Sequence, residues 1–175
     1  MKSVTDQYRD ADVKVTTGHV SDLSKVPVPN YTNEQHETWA LMFERQMKVL
    51  PDKASQEFLE GLKRLNLPSD RIPKLKDISA LLEKASGWRI ARVEGLVPER
   101  EFFECLAEKL IPCTDFIRGR DELEYTPSPD MFHDLFGHLP LVTNQAFADF
   151  YELFGRAALN ANEDMLTKLQ RIYWF

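Results

Sequence analysis

The chain has 175 residues, 43% hydrophobic and 29% charged, with 28 Asp and Glu against 22 Lys and Arg for a net charge of −6. That is the balance of a folded protein; it excludes a mainly disordered chain and argues against a phosphate-tracking surface, which needs clustered Lys and Arg. No run approaches the ~18–20 apolar residues of a membrane span, and the polar stretch Met1–Asp10 is unlike a secretion signal.

A cytoplasmic protein with neither a membrane nor a nucleic-acid partner is therefore expected. Cys105 and Cys113 are too few for a disulfide framework and read as reduced, buried thiols. Residues 1–30 carry no periodicity, and Val26-Pro27-Val28-Pro29 forbids a helix, so this part reads as an extended lead-in to one domain over residues 31–175.

From Tyr31 the pattern turns helical. Thr32 with Gln35 forms a capping box, Trp39, Met42, Phe43, Met47 and Leu50 recur at helical spacing, and Pro51 ends the run. A second helix is expected over Lys53–Asn66, and a third over Asp77–Ser86, with Asp77 as N-cap, Ile78, Leu81 and Leu82 inward, and Gly87 as stop. Trp88–Val97 is rich in strand formers. After Pro98 the apolar stripe Phe102, Phe103, Leu106, Leu110 predicts a helix reaching towards Pro112, followed by a short strand over Cys113–Arg118 and a loop over Gly119–Pro129.

Short and long helices follow over Asp130–His138 and Asn144–Asn160, the latter with Phe147, Phe150, Tyr151 and Phe154 as its stripe. A last helix begins at a cap pair, Asn160 and Glu163, and reaches Tyr173-Trp174-Phe175 without a glycine, a polar tail or a basic last turn. That ending suggests a helix that continues in a longer parent. The expected fold class is mostly α with a few short strands.

Phosphate loops, nucleophile elbows, zinc helices and dinucleotide fingerprints are absent from the sequence. Of the four histidines, His19 and His36 stand alone among polar residues, whereas His133 and His138 share a segment. Residues five apart lie ~140° apart on a regular α-helix, so these two imidazoles can share a metal only if the helix opens or ends between them. Gly137 and Pro140 would permit an ending. Imidazole suits Fe, Zn and Cu, and two such ligands with a carboxylate make the open site of non-haem Fe(II) oxygenases. The alternative is a pair of ordinary histidines at helix ends, with Asp130 and Asp134 as caps or outer partners of the rings.

The run Tyr125-Thr-Pro-Ser-Pro-Asp-Met-Phe-His133-Asp-Leu-Phe-Gly-His138-Leu-Pro-Leu141 resembles the iron-site signature of the pterin-dependent aromatic amino acid hydroxylases. Trp88–Pro98, Asp115-Phe-Ile-Arg118, Asn144–Phe150 and Tyr173-Trp174-Phe175 resemble the same family in the same order, from about Val26 to the last residue. The Asp after the first histidine points to the bacterial phenylalanine 4-hydroxylase branch.

The resemblance implies that family's catalytic-domain fold, incomplete here because the expected glutamate ligand would follow Phe175. It also implies hydroxylation of L-phenylalanine to L-tyrosine with tetrahydrobiopterin, O2 and Fe(II), the metal held by His133 and His138. By the same comparison Arg118 grips the substrate carboxylate, and Thr126, Pro127 and Trp174 line the substrate pocket. Gly95, Leu96, Phe102, Asp134 and Tyr173 surround the pterin. Read without the resemblance, Arg118 fits an ion pair in the Arg118–Glu122 loop and Phe102 fits the core. Gln170 stands where the family often has alanine, so no role is carried over to it. With a ligand missing, this chain alone is expected to show little activity. The alternatives are a tryptophan or tyrosine hydroxylase of the same family and a non-catalytic helical domain.

Overall fold

The computed structural model describes residues 23 and 27–174, the last by its backbone alone. Most of the expected lead-in, including His19, lies outside the described residues, as does Phe175; Pro27–Asn30 has no regular structure.

Helix α1, Asn33–Val49, starts at the expected capping box: Thr32 Oγ1 accepts from the Gln35 amide at 3.3 Å, and Gln35 Oε1 accepts from the Thr32 amide at 2.8 Å. It buries Trp39 and Met42, and the Trp39 indole donates to the Pro68 carbonyl at 2.8 Å, so this ring enters the core with its one polar group satisfied. A 3-10 turn, Leu50–Asp52, carries Pro51. Helix α2, Gln56–Leu65, begins later than its stripe suggested because the Ser55 hydroxyl accepts from the Phe58 amide and caps it.

Helix α3, Leu75–Ser86, begins before Asp77 rather than at it. Lys74 is the N-cap and makes no side-chain cap, while Asp77 falls in the first turn, where a negative charge suits the helix dipole. Leu81 proves exposed at 38%, since Ile78 and Leu82 already fill the inward face. The helix ends as expected at Gly87, whose φ of 78° is one that side chains disfavour.

Strand β1, Arg89–Val93, and strand β2, Leu110–Thr114, pair in parallel with Arg89 opposite Leu110, and helix α4, Glu99–Ala107, crosses between them. Two expectations fail here. Leu110 belongs to β2 and not to the helix, and the strand ends at Thr114 instead of running from Cys113 to Arg118. Glu108 closes the helix and Lys109, at φ 57°, reverses the chain, so the helical spacing of Leu110 is coincidental. Both cysteines are free and buried, as expected.

Met131 and Phe132 open a helix that widens into a π-helical segment, His133–His138, and narrows again into α5, Leu139–Val142. Gly61 of α2 lies so close that a Cβ there would sit 2.0 Å from the Pro140 carbonyl oxygen, so only glycine lets these helices meet. Helix α6, Gln145–Leu159, is capped by Asn144 and packs along α4; Tyr151 and Phe154 face the core, but Phe147 and Phe150 are exposed at 37% and 54%. Helix α7, Glu163–Trp174, starts at Asn162, whose Oδ1 accepts from the Met165 amide; the expected cap, Asn160, instead donates to the Arg156 carbonyl and closes α6. Among the described residues no helix is long and apolar enough to cross a membrane.

Candidate metal centre and cofactor cleft

The histidine pair is built on the π-helical segment. An α-helix bonds residue i to i+4, whereas a π-turn bonds i to i+5, which carries residues five apart onto one face. The helix therefore opens around the pair rather than ending at Gly137. His133 Nε2 and His138 Nε2 stand 3.0 Å apart. Which of the two Nε2 atoms carries a proton depends on the tautomer of each ring.

The back of the segment explains why the wider turn is held. Phe132 and Phe136 stack at 4.8 Å; Trp39 meets Phe132 edge-on at 5.1 Å, and Phe43 meets Phe136 edge-on at 5.3 Å. Leu135 and Leu139 are fully buried. With aromatic rings of α1 fixing one side and Gly61 admitting α5 on another, the imidazoles are left on the open face.

Asp130 fixes the start of the segment. Its carboxylate is wholly buried: Oδ1 accepts from the His133 amide at 3.0 Å and Arg118 Nη2 at 2.8 Å, and Oδ2 accepts from the Arg118 amide and Nε at 3.0 and 2.9 Å. Arg118 is thus engaged as a two-pronged partner of Asp130, not in an ion pair within its own loop. Sequence reading left Asp130 among possible caps; its position three residues before His133 was the available signal.

Asp134 sits on the other side, with Oδ2 accepting from the Thr114 amide at 2.8 Å and the Thr114 hydroxyl at 3.0 Å. Burial raises its carboxyl to about 7, against the pull of the Thr114 hydrogen bonds. Burial also lowers both imidazoles, His138 to about 4 with a further push from His133, so both are neutral, the form that binds metal, near pH 7.

Both histidines open onto a cleft of about 180 Å³. Gly95, Leu96 and Val97 line it from the turn after β1, and Thr114 lines it from the end of β2, so the cleft lies beyond the carboxyl ends of the parallel strands. Phe102, Asp134 and Tyr173 complete the set of residues expected around a pterin, and all five of that set line the cleft. Phe102 is only partly buried, meeting Tyr173 edge-on at 4.8 Å, so its helical stripe misplaces it when read as plain core. Tyr173 also lies parallel to the His138 ring at 6.2 Å. Gln170, set aside in the sequence, is a further lining residue, as are Glu99 and Pro129.

The expected substrate residues are less gathered. Arg118 and His133 line a second cavity of about 290 Å³ with Phe132, Phe136 and Leu123. Thr126 bonds the Ser128 carbonyl in the loop and lines neither cavity, nor does Pro127; the Trp174 side chain lies outside the described residues. His36 has a structural task, its Nδ1 accepting from the Ile72 amide at 3.1 Å.

Two nitrogens at right angles around one ion, each bonded at ~2.1 Å, would be ~3.0 Å apart. The observed spacing of the histidine pair fits that arrangement, in which neighbouring ligands of an octahedral ion stand at 90°. Among the described residues no cluster of three His, Cys, Asp or Glu gathers around a common point. Both oxygens of Asp130 are engaged, with Arg118 and the His133 amide, whereas Asp134 is held by Thr114 through Oδ2 alone. The chain thus offers a metal two neutral nitrogen ligands side by side.

The family model described as biopterin-dependent aromatic amino acid hydroxylase matches residues 5–175, and the chain belongs to that family. It is 43% identical over 145 residues to the phenylalanine-4-hydroxylase of Pseudomonas aeruginosa, covering 83% of this chain and 55% of the relative. The fold is that of the family's catalytic domains: the apo cold-active phenylalanine hydroxylase of Colwellia psychrerythraea superposes at a TM-score of 0.83 with 42% identity, over 90% of this chain and 60% of that one. The Chromobacterium violaceum phenylalanine hydroxylase with bound iron(III) and oxidized cofactor 7,8-dihydrobiopterin superposes at 0.83 with 39% identity, over all of this chain and 63% of that one. The chain thus spans 55% of the Pseudomonas relative and 60% and 63% of the two solved chains.

Proposed function

We propose that this chain carries the iron-binding pair and pterin cleft of an enzyme that hydroxylates L-phenylalanine to L-tyrosine with tetrahydrobiopterin, O2 and Fe(II). The carrying observation is the 3.0 Å convergence of His133 and His138 on the wall of the cleft. Fe(II) held by the two imidazoles would supply the activation of O2, which as a triplet reacts slowly with closed-shell molecules. The protein's share is placement. Phe102 and Tyr173 offer ring faces and edges to a flat heterocycle, Gly95 allows close approach of backbone, and Asp134 offers a carboxylate to N–H donors.

Arg118, oriented by Asp130 beside His133, presents a guanidinium to an amino acid carboxylate from the second cavity. Thr126 and Pro127 line neither cavity, so their place beside the substrate, like that of Trp174, rests in this reading on the family resemblance alone. The partners in this reading are small molecules, L-phenylalanine and O2, in the cytoplasm, with no nucleic acid and no membrane surface; the net charge of −6 supports the last two points, since both are polyanionic. Residues 31–175 act as one catalytic unit behind the lead-in.

The test has two arms. Fe(II) or Co(II) is titrated into the metal-free chain, and 7,8-dihydrobiopterin binding is followed by fluorescence quenching. One metal and one pterin per chain, with metal binding lost in His133→Ala, is the expected result. In the second arm the chain is given Fe(II), tetrahydrobiopterin, O2 and phenylalanine, tyrosine or tryptophan in turn. A chain that binds neither metal nor pterin overturns the proposal, and turnover confined to tryptophan or tyrosine reassigns its substrate.

A further inference from the structure

Thr114 ends β2 at the cleft wall and is 3% exposed. Its amide N–H and its hydroxyl both donate to one atom, Asp134 Oδ2, at 2.8 and 3.0 Å. Among the described residues the other oxygen, Asp134 Oδ1, accepts no hydrogen bond, yet no polar side-chain atom among them is both buried and unpartnered. Oδ1 is therefore the oxygen that reaches the cleft, and Asp134 is 8% exposed there.

A carboxylate free to rotate about its Cβ–Cγ bond would present either oxygen, or neither, to a ligand. Two donors from a single residue on a strand end remove that freedom, because both can be satisfied only in one orientation of the group.

We propose that Thr114 is a positioning residue for the cleft's ligand: it clamps Oδ2 of Asp134 so that Oδ1 stands ready to accept from an N–H group. The ligand class this selects is a flat heterocycle with N–H donors on its edge, which deepens the pterin reading above and rests on it. Thr114 itself need not touch the ligand.

The strand position makes the clamp specific. The Thr114 amide donates along the same strand end whose backbone pairs with Val93, just before Gly95 and Leu96 on the facing lip of the cleft. The two lips and the carboxylate are thus held in one frame by the parallel strand pair.

The experiment measures 7,8-dihydrobiopterin binding by fluorescence quenching on the metal-free chain, alongside Co(II) binding. Thr114→Val keeps the shape and the amide donor but deletes the hydroxyl, and Thr114→Ser restores it. The expected result is about tenfold weaker pterin binding in the valine variant, the size expected for loss of one ordinary hydrogen bond. The serine variant should bind within about twofold of the parent, and Co(II) affinity should be unchanged in both. Loss of pterin and Co(II) binding together, or equal weakening by valine and serine, assigns Thr114 a merely structural role and overturns the proposal. Parent binding that the valine variant retains in full overturns it as well, leaving the pterin reading standing. A parent chain that binds no pterin brings down that reading and this inference together.

Discussion

Two walls face each other across the cleft, and they are held by different means. The π-helical wall is tied down on every side but one: Phe132, Leu135 and Phe136 behind it are buried, the wholly buried Asp130 anchors its start, and α2 presses on its end at Gly61. The facing wall, α7, leaves Met165 and Ile172 exposed at 47% and 62%. Its cleft-side contact is largely Tyr173, which meets Phe102, His138, Tyr151 and Phe154. The difference teaches where precision is needed. Two ring nitrogens must stay within a few tenths of an ångström to share an ion, whereas a wall that covers a flat ligand tolerates movement.

The largest expected effect comes from breaking the fixed wall at its anchor. Asp130→Ala leaves the half-buried Arg118 without its partner and removes the cap on the His133 amide, and should lower stability by about 3 kcal/mol, the low end for breaking a buried pair, measured by urea unfolding. A loss below ~1 kcal/mol would show that the anchor matters little. Next comes the metal. Fe(II) at a hundred times its dissociation constant should add ~2.7 kcal/mol to the parent and almost nothing to His138→Ala, as read by thermal melting under anaerobic conditions. A variant stabilised as much as the parent would place the ion elsewhere.

Gly61→Ala drives a methyl group into the Pro140 carbonyl, and overpacking of this kind should cost about 1–3 kcal/mol. Because the obstacle is backbone, the shift should also weaken metal binding; unchanged binding would separate the two ends of the π-helical wall. The more exposed wall predicts the smallest changes. Tyr173→Ala should cost about 1–2 kcal/mol, from lost aromatic contacts that are only partly buried. In hydrogen exchange the α7 amides should open before those of Leu135–Val142; equal protection would erase the contrast between the walls.

Local chemistry was readable wherever neighbouring residues settle the matter. The Thr32–Gln35 box and the stop at Gly87 each depend on atoms within a few residues. Reading failed where two local signals compete. Leu110 continues a helical stripe that Lys109 cuts off, and Asn160 and Asn162 both qualify as caps although they serve different helices. Leu81, Phe147 and Phe150 have the spacing of inward residues, but no element among the described residues covers them.

The candidate site divides in the same way. The histidine pair and the set Gly95, Leu96, Phe102, Asp134 and Tyr173 were legible from a run of motifs, and the fold brings them to one cleft. The roles of Thr114 and of Asp130 as partner of Arg118 were not, because those contacts join residues 20 and 12 positions apart.

By itself, then, the sequence determined the family, the helical class, the Thr32–Gln35 box and the Gly87 stop, and the two histidines as the residues to watch. Only the tertiary structure decided that the helix widens between them instead of ending. A π-turn has poorer hydrogen bonding than the α-helix it interrupts, so it persists where long-range packing favours it, here through Trp39 and Phe43 of α1 and Gly61 of α2. No window of sequence around His133 contains those residues.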